Sequence, residues 1–157
     1  VQLPFVKHLF PNASVIPIMV PCVKSAPEIG DAVARTLRAY DYNALIVGTT
    51  DLTHYGPHYG FIPVGVGAAA NAWAKNVNDR RFIDLVCRLR GDELVAEASA
   101  HKNACSSGAA AATIAAVTAL GATEGVLSAH TSSSEVVAGR TMEEVSDSVG
   151  YAGIVFK

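Results

Sequence analysis

Hydrophobic positions along this chain follow two rhythms: short apolar runs stopped by glycine, proline or small polar residues, and longer stretches with apolar side chains three and four apart. Val15-Ile16-Pro17-Ile18-Met19-Val20, between Asn12-Ala13-Ser14 and Pro21, predicts a strand, and Pro17 places it at an edge or a bulge. Asn12-Ala13-Ser14 also matches a glycosylation sequon but is read as a turn. From Ser25 a cap residue, Pro27 in the first turn and Glu28 lead into Ile29, Val33, Leu37 and Tyr40 at helical spacing. That helix returns to Ala44-Leu45-Ile46-Val47, which reads as a buried strand stopped by Gly48. Strand, helix and strand make a βαβ unit, which predicts a parallel or mixed sheet with helices on its faces.

Further on, Phe82, Leu85, Val86 and Leu89 recur at i, i+3, i+4 and i+7, predicting a helix that ends at Gly91. Asp92 and Glu93 open a shorter helical segment with Leu94 and Ala98 inward. From Cys105 to Leu120 an alanine-rich stretch is apolar on nearly every side, so it reads as a buried helix capped by Ser106 or Ser107 and closed by Gly121. Gly125-Val126-Leu127-Ser128-Ala129-His130 and Val149 to Phe156 predict two more strands, joined through a serine-rich loop from Thr131 to Glu135 and an acidic connection ending at Asp147. Gly65-Val66-Gly67-Ala68-Ala69-Ala70, with Asp84 downstream, has the outline of a dinucleotide-binding turn. Pro63 in the preceding run and a predicted loop from Asn76 to Arg81 favour a plain Gly/Ala-rich connection.

Composition narrows the class. A length of 157 residues, half of them hydrophobic, and a mean hydropathy of +0.30 fit one domain with a core, 1–157. A formal charge of −2 without a Lys/Arg cluster leaves nucleic acid no electrostatic footprint. Cys22, Cys87 and Cys105 are too few and too scattered for a disulfide framework, and no apolar run is long enough to span a membrane. The expectation is a soluble, reduced, cytoplasmic protein. Val1-Gln2-Leu3-Pro4 reads as the middle of a longer chain.

Candidate chemistry gathers just after the second predicted strand, in Asp51-Leu52-Thr53-His54-Tyr55-Gly56. Ligands of open α/β sheets collect beyond strand carboxyl ends, so an acid and an imidazole three residues apart there form a candidate catalytic pair. Cys105 precedes a helix N-terminus, where free N–H groups favour a thiolate, and is a candidate ligand or nucleophile; a buried small side chain is the alternative. His58 is separated from His54 by Gly56 and Pro57, so no helix aligns the two rings, and it is read as a loop residue. His101, near Cys105, and His130, at a strand end, are second-tier candidates. Arg80, Arg81, Arg88 and Arg90 are expected on solvated faces. A serine-hydrolase elbow and a P-loop are both missing from the sequence.

Several of these segments, in order, resemble the Memo family: Leu3-Pro4-Phe5, the strand ending at Val20-Pro21, Thr50 to Gly56 (T-D-L-T-H-Y-G), Asn103-Ala104-Cys105 at a helix start, His130-Thr131-Ser132, and Ser148 to Gly153. Bacterial and archaeal members belong to the AmmeMemoRadiSam system beside radical-SAM proteins, and the family is related to class III extradiol dioxygenases. The likeness covers essentially the whole chain as the C-terminal half of a full-length member. Ser106 and Ser107 stand where members usually carry glycine and a basic residue.

The resemblance implies an α/β fold, a three-layer α/β/α sandwich with a mixed, largely parallel sheet and a site at strand ends. It implies Cys105 as the metal ligand, His54 in the position of the dioxygenases' general base and Asp51 as its polar neighbour, the latter two lying in a second shell or as additional ligands. The metal-ligating histidines would lie in the N-terminal half, so iron or copper would find an incomplete site here. The expected function is a redox-metal-binding protein with a dioxygenase-like pocket and an unidentified substrate, an oxidoreductase if it is an enzyme. Two other readings stand beside it: a non-catalytic module that binds a small molecule or peptide in the same pocket, and a Cys-His hydrolase using Cys105 and His54. An exposed sheet edge would favour self-association or association with a missing N-terminal half.

Overall fold

In a computed structural model that describes residues 2–138 and 145–157, the elements are α1 (Leu3–Leu9), α2 (Ala26–Ala39), β1 (His54–Tyr55), α3 (Ala68–Trp73), α4 (Arg80–Cys87), α5 (Leu94–His101), α6 (Ser107–Ala119), β2 (Gly125–Ser132), α7 (Ser133–Ala138) and β3 (Ser148–Phe156). A 3-10 turn, Pro57–Tyr59, follows β1, and a π-helical segment, Ala74–Asp79, joins α3 to α4.

The alanine-rich helix α6 is the centre of the packing. Its Ala111 and Ile114 meet Phe82, Ile83 and Val86 of α4, Leu94 and Ala98 of α5, Ala26 of α2 and Leu52 in one buried cluster. Helix α2 lies along another side of α6. The sequence periodicity predicts Ile29, Val33, Leu37 and Tyr40 as its inward face, but the buried residues are Ala26, Gly30 and Ala34, with Ile29, Val33 and Leu37 half-buried beside them and Tyr40 exposed just past the helix end. Close approach explains the difference: a Cβ on Gly30 would collide with the Ala112 carbonyl, so the line of contact admits only small side chains.

β3 is the middle strand of a three-stranded sheet ordered β1-β3-β2, and both pairings are antiparallel. His54 sits opposite Val149 and Tyr55 opposite Ser148, and the ladder is extended by Leu52 N–H donating to the Gly150 carbonyl (3.0 Å) and Gly150 N–H to Thr53 (3.1 Å). On the other edge β2 runs from Gly125 opposite Phe156 to Ser132 opposite Gly150, with an irregularity between Leu127 and Ala129. The mixed α/β class is therefore present, but among the described residues the sheet is small and antiparallel rather than largely parallel.

Two predicted strands do not form. Residues 15–20 and 44–47 run without regular structure, and no backbone hydrogen bond within the described residues reaches them. An apolar run becomes a strand only when a neighbour offers N–H and C=O groups, and no described strand lies alongside. Their side chains are correspondingly open: Leu45 is 74% exposed and Met19 95%. Two further differences are local. The predicted loop at 76–81 is the π segment and start of α4, and the serine-rich loop at 131–135 runs from the end of β2 into α7; Leu3–Leu9, for which the sequence sets no expectation, is helical. The dinucleotide-like glycines open α3 from a turn with no strand before it, with Gly65 and Gly67 at positive φ, which favours the plain connection. Part of the acidic connection before Asp147 lies outside the described residues.

Candidate functional site

Two loops meet at the N-terminus of α6. The Cys105 N–H donates to the Asp51 carbonyl (3.1 Å) and the Ser106 N–H to the Thr50 hydroxyl (2.9 Å), which clasps the segment before β1 to the start of the helix. Cys105 Sγ then lies 3.8 Å from the Thr50 hydroxyl and 3.7 Å from that of Ser106, and is exposed. Thr50 thus stands at the junction of both loops.

Across the same cleft, ≈ 400 Å³ in volume, stand His54, Tyr59 and Phe61, with Leu52 and Ala104 at its base and Lys102 at its side. His54 Nε2 is 3.4 Å from Asp51 Oδ2, and the imidazole stacks on Tyr59 with centroids 5.0 Å apart and planes 17° apart. Both partners of the His54–Asp51 contact are open to water, so it orients the ring more than it stabilises the fold. Tyr151 feels the same charges: partial burial raises its phenol above the ordinary value, and the Asp51 carboxylate and Tyr59 push it the same way. Lys102, held in a left-handed conformation after α5, lies with Nζ 5.6 Å from the Phe61 ring centre.

Behind the cleft a buried polar network fixes the loop from the inside. The wider turn of the π segment brings successive residues Asn78 and Asp79 to the interior together. Asp79 Oδ1 accepts from Thr53 N–H (2.9 Å), Asn78 Nδ2 donates to Thr53 Oγ1 (3.1 Å), and Asn103 Nδ2 donates to the Asn78 carbonyl (3.1 Å) and Glu97 Oε1 (3.1 Å). Asp79 Oδ2 is 3.2 Å from His130 Nε2. At 1% exposure, burial pushes the Asp79 carboxyl above its usual range against the opposing hydrogen bonds from Thr53 and His130. A Cβ on Gly150 would collide with that carboxylate, so the strand passes over it only as glycine. Burial works to raise Glu97 as well, but hydrogen bonds from Arg81 and Asn103 outweigh it and hold this carboxyl below its ordinary value.

The sequence-selected residues separate into two groups. His54 and Cys105 line one cleft, and Asp51 stands beside it in contact with His54. His58 lies in the exposed turn after β1, where its N–H donates to Asp147 Oδ1 (2.9 Å); His101 is tied to Arg81 (2.7 Å) outside the cleft lining; His130 faces Asp79 in the buried network. Lys102, Asp79 and Cys22 give no local signal, because their partners are distant in sequence, and Tyr59 gives none because the turn Pro57–Tyr59 that folds it back onto His54 is not visible in periodicity. Cys22 approaches the same helix start: its Sγ is 3.7 Å from the Cys105 carbonyl, and hydrogen bonding to Gly108 and then Ser107 holds its thiol below the ordinary value. Cys87 differs, since burial raises its thiol. Among the described residues, no three His, Cys, Asp or Glu side chains form a group able to hold a metal ion, and no helix is long and apolar enough to cross a membrane.

A helix start carrying an exposed thiol, facing an imidazole–carboxylate pair at a strand end, defines a mixed α/β protein with a single-thiol polar cleft. The chain belongs to the Memo family: the family model described as Memo-like protein matches residues 1–155. A MEMO1 family protein of Methanopyrus kandleri is 30% identical over 161 residues, covering 100% of this chain and 50% of that protein. One from Methanothermobacter thermautotrophicus is 29% identical over 155 residues, covering 97% and 49%, and one from Thermococcus kodakarensis is 28% identical over 169 residues, covering 100% and 55%. The chain spans about half the length of these relatives.

Proposed function

We propose that this cleft is one wall of a redox-metal pocket of the Memo type, with Cys105 as its soft anionic donor and His54 with Asp51 as its proton-handling pair. The observation that carries this reading is the Thr50–Cys105–Ser106 clasp, which puts an exposed thiol and the oriented imidazole on the same ≈ 400 Å³ cleft. The donor set fits only part of a metal site, since no group of three ligating side chains is present among the described residues. The remaining ligands would come from polypeptide beyond this half-length segment. A thiolate among them favours iron or copper(I) over a hard cation.

This chain's own residues have definable tasks. The Thr50 and Ser106 hydroxyls flank the sulfur at 3.8 and 3.7 Å, long contacts that leave it free to turn toward a metal. Asp51 holds one imidazole nitrogen of His54, and Tyr59 holds the ring plane, which leaves the other nitrogen to accept a proton from a bound phenol or water. Phe61 and Leu52 give the cleft an apolar side, and Lys102 places a cation beside it for an anionic ligand group. The hydrolase alternative draws no comparable support, because the sulfur's neighbours are hydroxyls rather than an imidazole. Anaerobic titration with iron(II) and copper(I), on polypeptide that includes the upstream reading frame, tests the proposal. Metal is expected to bind at one equivalent and to be lost in Cys105→Ala; equal uptake by the variant ends the reading.

A further inference from the structure

Cys22 and Cys105 are far apart in the chain and meet at one point of the fold. The turn before α2 passes directly over the first turn of α6, where a Cβ on Gly108 would collide with the Pro21 carbonyl. That approach sets Cys22 Sγ 3.7 Å from the carbonyl of Cys105, with both cysteines exposed. The contacts that hold Cys105 Sγ in place are long, 3.7 and 3.8 Å to two hydroxyls, so a change of rotamer costs it little. Cys87 is half-buried against other elements and takes no part.

We propose that Cys22 and Cys105 are a reversible redox pair, closed to a disulfide by hydrogen peroxide and reopened by a thiol reductant. The Cys22 sulfur attacks one peroxide oxygen, the O–O bond breaks and water leaves, so that Cys22 becomes a sulfenic acid. The Cys105 sulfur then attacks that sulfur; the S–S bond forms, the S–O bond breaks and a second water leaves. Overall two thiols and one hydrogen peroxide give one disulfide and two waters. Because the disulfide engages the Cys105 sulfur, it would also switch off metal uptake, and this consequence alone rests on the metal reading above.

The test is peptide mapping without reduction, on the reduced, metal-free chain after a small excess of hydrogen peroxide. An intramolecular Cys22–Cys105 linkage is expected, with Cys87 still free to alkylate and both thiols recovered by dithiothreitol. Separate over-oxidation of Cys22 and Cys105, a linkage through Cys87, or linkages between chains only would overturn the proposal. In Cys105→Ser the linkage should vanish and Cys22 should become available to a sulfenic-acid probe after peroxide; should this variant not fold, the map of the unsubstituted chain still decides. A linked chain that takes up iron(II) and copper(I) as well as the reduced chain would leave the redox pair standing and remove Cys105 from the metal site.

Discussion

The two extended segments that flank helix α2 are more apolar than the helix itself, which carries Glu28, Asp31, Arg35 and Arg38, yet the helix is packed and they are open. α2 meets α6 along Ala26, Gly30 and Ala34, while Leu45, Val47, Ile16 and Met19 lie largely in solvent. The difference teaches that burial follows from what faces a segment rather than from its own hydropathy. α2 satisfies its backbone internally and needs only a close surface, which α6 provides. An extended segment needs hydrogen-bonding neighbours as well as cover, and the described chain gives these segments none.

Substitutions can break or sharpen this contrast. The largest effect is expected from Phe82→Ala in the packed region, about 3–5 kcal/mol of lost stability by urea unfolding, because the ring is 1% exposed in the central cluster. A loss under about 1 kcal/mol would mean the cluster collapses around the gap, and the packed side would be softer than described. Next comes Gly30→Ala, where a single methyl must push α2 away from the Ala112 carbonyl; about 1–3 kcal/mol is expected, and a stabilisation, as helix propensity alone would give, would deny the close approach.

A smaller effect with a pH signature belongs to Asp79. Its folded pKa is raised above the ordinary 3.8, so the folded state holds a proton the unfolded chain has released. That stability is fully present below 3.8 and is lost as the pH rises through the raised value. Asp79→Asn keeps an acceptor for Thr53 N–H and carries no charge, so its stability relative to the unsubstituted chain should climb across this window. Glu97, lowered from its ordinary 4.5, has the opposite dependence and is common to both proteins, so it cancels. A difference that stays flat with pH contradicts the burial argument. The smallest effect is expected at Leu45→Ser, within about 0.5 kcal/mol, since the side chain has little packing to lose; a larger loss would show that the open segment is covered in solution.

Periodicity found what depends on local pattern: α2, α4, α5 and α6, and the strands β2 and β3, lie close to where the spacing puts them. It failed where the deciding partner is remote. Ala44 to Val47 has the composition of a buried strand, but strand pairing is a property of two segments. Periodicity assigns the inward face of α2 to its larger side chains because it weighs hydropathy, whereas contact with α6 selects for smallness. The π segment reads as a loop because Asn76, Asn78 and Asp79 are poor helix formers, and Thr53 and His130, the partners of Asn78 and Asp79, cannot be seen locally. In the site, the sequence places Asp51 and His54 beyond the carboxyl end of a strand at 44–47, but no strand forms there and His54 instead opens β1; their three-residue spacing and the helix-start position of Cys105 are legible, the Thr50 clasp is not. Cys22 carried no local signal; its position emerges only from the turn crossing α6.

The proposed role of Cys105 as the anionic donor of a metal pocket is tested most directly by cobalt(II), because thiolate-bound cobalt shows sulfur-to-metal charge-transfer absorption. With the upstream reading frame present and both cysteines reduced, the band should form in the unsubstituted protein and in His54→Ala and vanish in Cys105→Ala. A band that survives Cys105→Ala, or none with the unsubstituted protein, would contradict the claim.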